Sequence, residues 1–391
     1  MWNNDSRVVF VAHELHFDKK KSIFEDKVSG DFYEMPPPAI DAIINLTKRR
    51  TVSETEELLN EKYPEEEIDM GEFMEQLIEM KLLSQIDDQV LHVVSDNKPK
   101  KGFLWIEKAF AEKFFGRVSR GIYLISFISA IVLMMTSPSL IPHYQDFFLS
   151  EIILVNVLLF SFLSFVLVMV HEGGHVLAAR SLGIPVKISF GHRLFFPVLE
   201  SDVSEVWRLP ARDRNRVYLA GVNFDIVILF LSLLVQRFIL IEPEGLLYGV
   251  TAMINFNIVL RLIYQCCFYM KTDLYFVVEN LTGCYNLMEE AKEFLKMKVI
   301  RKIENEYGKV IKAYSLFYII GTLISLGLFL FFYLPQLFYA IEQSIPNLRN
   351  PISSIHFWDG SIFLLQLMVI VSLLFYSWMK GLNQFLIKSK K

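Results

Sequence analysis

Cysteine is scarce in this chain. Its 391 residues hold three, Cys266, Cys267 and Cys284, too few for a disulfide framework. Charge is scarce too: Asp, Glu, Lys and Arg make up 21%, against about a quarter in an ordinary globular domain. A cationic excess is missing. The 39 Lys and Arg against 43 Asp and Glu leave a net charge of −4, which excludes the basic footprint of a nucleic-acid binder. Residues 1–18 are mixed and charged, without a continuous apolar core. No cleavable signal peptide is therefore expected, and the first internal apolar span is expected to direct insertion. Internal repeats and low-complexity tracts are likewise missing.

What is plentiful is apolar. Hydrophobic residues make up 53%, with 34 Phe. The excess lies after Gly121, while over half of the acidic residues precede it. Composition thus predicts a soluble head on a mainly helical, polytopic membrane body. In the head, residues 7–16 and 22–28 are β-rich, and Ser29-Gly30-Asp31 supplies a turn before Phe32-Tyr33. Pro36-Pro37-Pro38 opens a helix through 39–46. Ser53 with Glu56 suggests a capping box for a second helix. A third helix is expected over 69–83 and a returning strand over 85–94. Strands, three helices, then strand is a winged-helix order. Its third helix carries Glu72, Glu75 and Glu79, which would repel a nucleic-acid phosphate.

Residues 96–101 (DNKPKK) read as a linker, and 105–120 as an aromatic and basic helix suited to a membrane surface. Six apolar spans follow near 121–137, 151–170, 216–236, 246–270, 313–341 and 360–380, each close to the roughly 20 residues that cross a bilayer. The fifth is overlong, and Pro335 is placed to end or kink it. Lys and Arg orient the spans. Lys113, Arg117 and Arg120 precede the first, residues 180–216 hold seven Lys and Arg, and Lys388, Lys390 and Lys391 end the chain. The opposite loops carry only Arg237 and Arg349. The expectation is a multi-pass protein of the cell membrane with both termini cytoplasmic. The stretch 184–210, too polar to cross, contains strand candidates at 186–190, 193–198 and 205–210. The expected divisions are a head (1–96), an amphipathic linker (97–120), a core (121–285), a cytoplasmic amphipathic segment (286–312) and two C-terminal spans (313–391).

The sharpest signal is His171-Glu172-Gly173-Gly174-His175, directly after the apolar run 152–170. On a helix, His171 and His175 share one face and can bind one zinc ion, and Glu172 is placed as general base on its water. Ionisable groups at membrane depth are costly and usually functional. Two glycines cost a helix about 2 kcal/mol against two alanines, so something else must favour them; close approach of another backbone is one reason. A hydrolytic zinc wants a third protein ligand. Asp273, after the fourth span, lies on the right membrane face; Glu279 and Asp225 compete. Asp225 sits inside the third span and can instead pair with Arg261. His192 reads as a loop histidine, His13 and His16 as surface residues, and Cys266-Cys267 as small buried packing residues.

The HEGGH, followed by Ala178 and Ala179, resembles the intramembrane zinc metalloproteases of the site-2 protease type. Asp273 resembles that family's third ligand, although Leu274 replaces the Gly that usually follows it. Residues 219–227 (LAGVNFDIV), with Ala220, Gly221 and Asn223, are similar to the family's small-residue and Asn motif. Gln265 stands where many members have Asn, and Phe268 where Pro is usual. The likeness covers about residues 120–285. It implies a three-helix catalytic core, zinc reached from the cytosol, a hairpin after the HExxH helix, and hydrolysis of a peptide bond near the membrane. With position, it favours His171, His175 and Asp273 as zinc ligands and Glu172 as the catalytic base. A Gln265 amide is then suited to a substrate backbone or an oxyanion.

The departures look more like the divergent branch of peptide zinc metalloproteases found beside bacterial peptide-export and peptide-modification systems. The head resembles the winged-helix domains that hold leader peptides as an added edge strand. Implied partners are a peptide or transmembrane protein substrate, the lipid bilayer and a peptide exporter, with no nucleic acid. Two other readings remain: cleavage of a transmembrane regulator, and a non-proteolytic export or immunity partner in which zinc is a structural tie.

Overall fold

The computed structural model describes residues 2–18, 21–91, 102–150, 152–193, 196–239, 245–299 and 308–388. The 96–101 linker, apart from which the head and body elements are traced, lies outside them. The chain divides into two compact units: Met1–Gly102 with Val203–Arg214, and Phe103–Asp202 with Asn215–Lys391. The first unit thus takes in a segment from between the second and third spans, which no sequence signal marked.

The first unit opens with β1 (Val8–Phe10), β2 (His13–Asp18), β3 (Lys21–Asp26) and β4 (Phe32–Met35). Gly30 makes the turn before β4 with φ +79°, a backbone region that costs glycine nothing. Helices α1 (Pro37–Thr47), α2 (Val52–Lys62) and α3 (Met70–Glu79) follow, then β5 (Leu83–Ile86) and β6 (Gln89–Val90). Two antiparallel sheets form, ordered β1-β5-β6 and β2-β3-β4. The β-rich stretch over 7–16 forms two strands, β1 and β2, in different sheets. The expected strand over 85–94 is the β5–β6 hairpin, with 92–94 outside the described residues. Phe24, Ile43, Leu46, Leu59, Met74, Leu77 and Leu83 fill one core.

The cap of α2 is Thr51, not Ser53. Thr51 Oγ1 accepts from the Glu54 amide while Glu54 returns the bond to the Thr51 amide. Both registers exist in the sequence. Tertiary bonds select between them, because the amides of Val52 and Ser53 donate to the carbonyls of Ser6 and Asn4. In the same unit, the buried Glu25 carboxylate accepts from His16 at 2.7 Å, from Lys27 at 2.9 Å, and from Arg208 of the Val203–Arg214 segment. His16 is thus a partly buried partner of Glu25, not a free surface residue.

In the second unit, α4 (Lys108–Glu112) leads into α5 (Arg117–Thr136), and α6 (Ile153–Ser181) carries the HEGGH. An antiparallel hairpin of β7 (Lys187–Arg193) and β8 (Phe196–Asp202) follows. The expected strand over 205–210 is instead a 3-10 turn, Ser204–Arg208, in the segment that belongs to the first unit. Next come α7 (Ala211–Tyr218), α8 (Ala220–Phe238), α9 (Leu246–Gln265), α10 (Asp273–Thr282) and α11 (Leu287–Val299). The last are α12 (Lys309–Leu328), α13 (Leu334–Ser344) and α14 (Ile355–Lys388). A π-helical turn, Phe329–Tyr333, joins α12 to α13 just ahead of Pro335. Proline has no amide to donate and crowds the preceding turn, which breaks the regular ladder there.

Among the described residues, six helices are long and apolar enough to cross a membrane: α5, α6, α8, α9, α12 and α14. Their outward faces carry Ile125, Ile128, Phe162, Phe165, Leu316 and Leu323 in exposed positions. An apolar surface that extensive is unusual in water and natural in lipid. Helix α8 is the most enclosed of the six. Leu229 and Leu233 of α8 pack with Leu167 of α6 and Ile258 of α9, so three helices form the centre. Helix α9 stops at Gln265, short of the expected end at 270. A 3-10 turn at Phe268–Met270 and a left-handed Lys271 (φ +53°) then deliver Asp273 to the start of α10.

Candidate metal centre

His171, Glu172 and His175 are buried in α6, which continues as a helix well past its apolar run. His171 Nε2 lies 3.2 Å from His175 Nε2 and 3.0 Å from Asp273 Oδ2. The third edge, His175 Nε2 to Asp273 Oδ2, is 3.4 Å. The opposite ring nitrogens are pinned. His171 Nδ1 donates to Asp225 Oδ2 at 2.7 Å, and His175 Nδ1 donates to the Val217 carbonyl at 2.8 Å.

Those two bonds fix the tautomers, so each Nε2 presents a lone pair. Two lone pairs and a carboxylate oxygen therefore converge on one point. Zinc bonds to such atoms at about 2.0–2.2 Å in a tetrahedron, which sets its ligand atoms about 3.3–3.5 Å apart. The triangle of 3.0, 3.2 and 3.4 Å matches that edge to within a few tenths of an ångström. The residues fit zinc, and three ligands leave a position open. Glu172 also belongs to the cluster, offering a carboxylate oxygen within 4.8 Å of a ring nitrogen of each histidine.

The supporting contacts come from α7, α8, α9 and β8. Asp225 of α8 is fully buried, and its second oxygen accepts from Arg261 of α9 at 3.0 Å. Arg261 also donates to the Leu167 carbonyl and to Asn257. Asp225 thus makes the expected pair with Arg261 and touches the site as well. Gln265 grips Asp273 twice: its Nε2 donates to Asp273 Oδ2 at 2.7 Å, and its Oε1 accepts from the Asp273 amide at 3.0 Å. Thr272 Oγ1 donates to the Gln265 carbonyl at 2.8 Å. The Gln265 amide is committed to the aspartate, not free for a substrate. Glu172 accepts from the Ser201 amide at 2.9 Å and from the Ser201 hydroxyl at 2.7 Å, which ties it to β8.

Small residues make the approach possible. A Cβ on Gly221 would lie 2.4 Å from His171 Nε2, so α8 passes the ring only because that residue is glycine. A Cβ on Gly174 would lie 3.0 Å from the Ala220 carbonyl oxygen. Helices α6 and α8 therefore meet backbone to side chain at the centre.

Of the competing carboxylates, Glu279 is no part of this cluster. It accepts from the Tyr275 hydroxyl and from the Leu287 amide at 3.0 Å, joining α10 to α11. Burial pushes its carboxyl above the ordinary value. Asn223 is half-buried in α8 and His192 lies in β7. Cys266 is exposed and Cys267 half-buried, so neither is the fully buried packing residue expected. Ser201 and the Val217 carbonyl carry no sequence signal that marks them as parts of the site, whereas Gly221 belongs to the small-residue motif at 219–227. No family model, curated protein or solved structure matches the chain, so the local geometry carries the functional reading.

Proposed function

We propose that the chain is an intramembrane zinc metalloprotease of the site-2 protease type that hydrolyses a peptide bond near the cytoplasmic face of the cell membrane. The supporting observation is the convergence of His171 Nε2, His175 Nε2 and Asp273 Oδ2 with both histidine tautomers fixed from behind. Zinc held by these three would supply a Lewis acid for the substrate carbonyl and acidify a water. Glu172 takes the proton of the attacking water and passes it to the leaving amine. Ser201 orients Glu172, Asp225 orients His171, and Gln265 orients Asp273.

The substrate enters as an extended segment, since a closed helix cannot present its carbonyl. A small ribosomally made peptide, modified or exported, suits this better than a transmembrane regulator because of the head, read as a winged-helix leader-binding domain. Both termini are placed in the cytoplasm by the Lys and Arg distribution.

The test compares wild type with Glu172→Gln as full-length protein in membranes. Zinc content is measured alongside cleavage of candidate peptide precursors. The expected result is equal zinc and at least a 100-fold loss of cleavage in the variant. Equal cleavage by both, or a wild type that binds no zinc, overturns the reading; the first outcome would make the metal a structural tie.

A further inference from the structure

A groove of about 590 Å³ lies along α6, with Met169, Gly173, Val176 and Leu177 as its floor. At 3.6 residues per turn these four fall on one stripe, and His171 and His175 fall on roughly the opposite side of the helix. Trp105 and Phe110, on the segment that enters α5, form the facing wall. The groove is thus separate from the candidate metal centre.

Three observations bear on what fills it. The first is continuity. Followed toward the N-terminus of α6 in steps of three and four residues, the floor continues as Phe162, Phe165, Val166 and Met169, all 40–63% exposed. Met169 belongs to both, so the groove is one end of an apolar stripe that meets lipid when α6 spans a membrane. The second is that the wall is fastened. Arg180, on the same stripe, is buried. Its Nε and Nη2 donate to the Ile106 carbonyl at 3.2 and 3.1 Å, and its Nη1 donates to the Ile184 carbonyl at 3.3 Å. The residue next to Trp105 is therefore tied to α6 beyond Leu177. The third is Gly173. Close packing requires Gly174 and Gly221, but a Cβ on Gly173 would meet nothing within 4 Å. Helix propensity disfavours glycine there, and the absent side chain widens the slot midway along its floor.

We infer that this groove holds an acyl chain of a membrane phospholipid, drawn from the leaflet at the HEGGH end of α6. The lining is aromatic and aliphatic with Glu107 as its one charged member, which suits a hydrocarbon chain. A volume of this size is typical of small-ligand sites. Trp105 is itself exposed, as aromatic side chains are where they gather at a membrane surface. A seated chain joins the segment entering α5 to the helix that carries the HEGGH, from the side away from the proposed ligands. The inference rests on α6 spanning a membrane and not on the metal, so it stands or falls apart from the protease reading.

The test titrates full-length protein in detergent micelles with phosphatidylcholine brominated along its chains. Bromine quenches only a nearby indole, and the difference between wild type and Trp105→Phe isolates the Trp105 signal. Quenching is expected to saturate and to be reversed by unbrominated phosphatidylcholine. Gly173→Leu fills the slot and displaces about two methylenes of the chain, so the lipid is expected to bind it about 10-fold more weakly or worse. Quenching of wild type that rises without saturating, as free mixing in the micelle gives, overturns the inference, whether or not Gly173→Leu folds. Equal half-saturation in wild type and a folded Gly173→Leu also overturns it. Quenching that is displaced by an apolar peptide and not by unbrominated phosphatidylcholine overturns it as well, in favour of a peptide at this face.

Discussion

Gly221→Ala adds a single methyl group at the centre of the proposed site. The new Cβ would lie 2.4, 2.5 and 2.6 Å from Nε2, Cε1 and Cδ2 of His171. Carbon contacts are comfortable only beyond about 3.5 Å, so the ring must retreat by about 1 Å. It has no free direction to take. Nδ1 is held by Asp225 at 2.7 Å, and α6 is already pressed on α8 where a Gly174 Cβ would sit 3.0 Å from the Ala220 oxygen. Metal bonds tolerate deviations of about 0.2 Å, so the displaced ring drops out of the ligand set.

Disturbing the partners behind a ligand typically costs 10- to 100-fold in metal affinity, and losing the ligand itself costs more. Zinc binding is therefore expected to weaken by more than about 100-fold, read by chelator competition on full-length protein in detergent. Thermal unfolding should show the overpacking as a loss of about 1–3 kcal/mol. Gly173→Ala is the control: it meets open space, and its zinc affinity should stay within about 3-fold of wild type. A Gly221→Ala protein that holds zinc as tightly as wild type would refute the reasoning, because the ring could not then be where a ligand must be.

Asp225→Asn keeps the shape of the side chain but lets only one of its two termini accept. The amide must face either His171 Nδ1–H or the Arg261 guanidinium, donor against donor, and zinc affinity is expected to fall about 10- to 100-fold; unchanged affinity in the same competition would dismiss Asp225 as a positioning residue. In the head, burial acts to raise the Glu25 carboxyl, but bonds from His16, Lys27 and Arg208 outweigh it and hold the group below its ordinary value near 4.5. A depressed carboxyl contributes stability that is present above its unfolded value and lost as pH falls through its folded value. Limited proteolysis of the full chain between pH 7 and pH 3 should show the head opening at the acid end. Glu25→Gln should flatten that dependence, and an identical acid limb in the variant would count against it.

The elements legible in the sequence were those set by local pattern. Apolar runs located six helices, since length and hydropathy are properties of a segment alone. Their ends were less legible, for two opposite reasons. Helix α6 outlasts its apolar run to Ser181 because hydrogen bonding continues through the polar HEGGH turn. Helix α9 stops at Gln265 although the run continues, because that glutamine turns to grip Asp273 and Lys271 takes a left-handed backbone. The cap of α2 shows the same limit: two capping registers were written two residues apart, and contacts with Asn4 and Ser6 chose.

The site divides along the same line. His171 and His175 are four residues apart, a local relation, while Asp225, Gln265, Val217 and Ser201 reach it only through folding. Asp225 is the instructive case, because its sequence position allowed either a pair with Arg261 or a place at the site. Its two oxygens do both. Arg261 donates to one oxygen of Asp225 and His171 Nδ1 donates to the other, and Nε2 is thereby left with its lone pair toward His175 and Asp273. A hydrogen-bonded ion pair costs an apolar interior less than an isolated ion, and this one orients a proposed ligand without adding charge to the proposed ligand set. The arginine inside α9, which touches no ligand, is in this way part of the reason that three lone pairs meet.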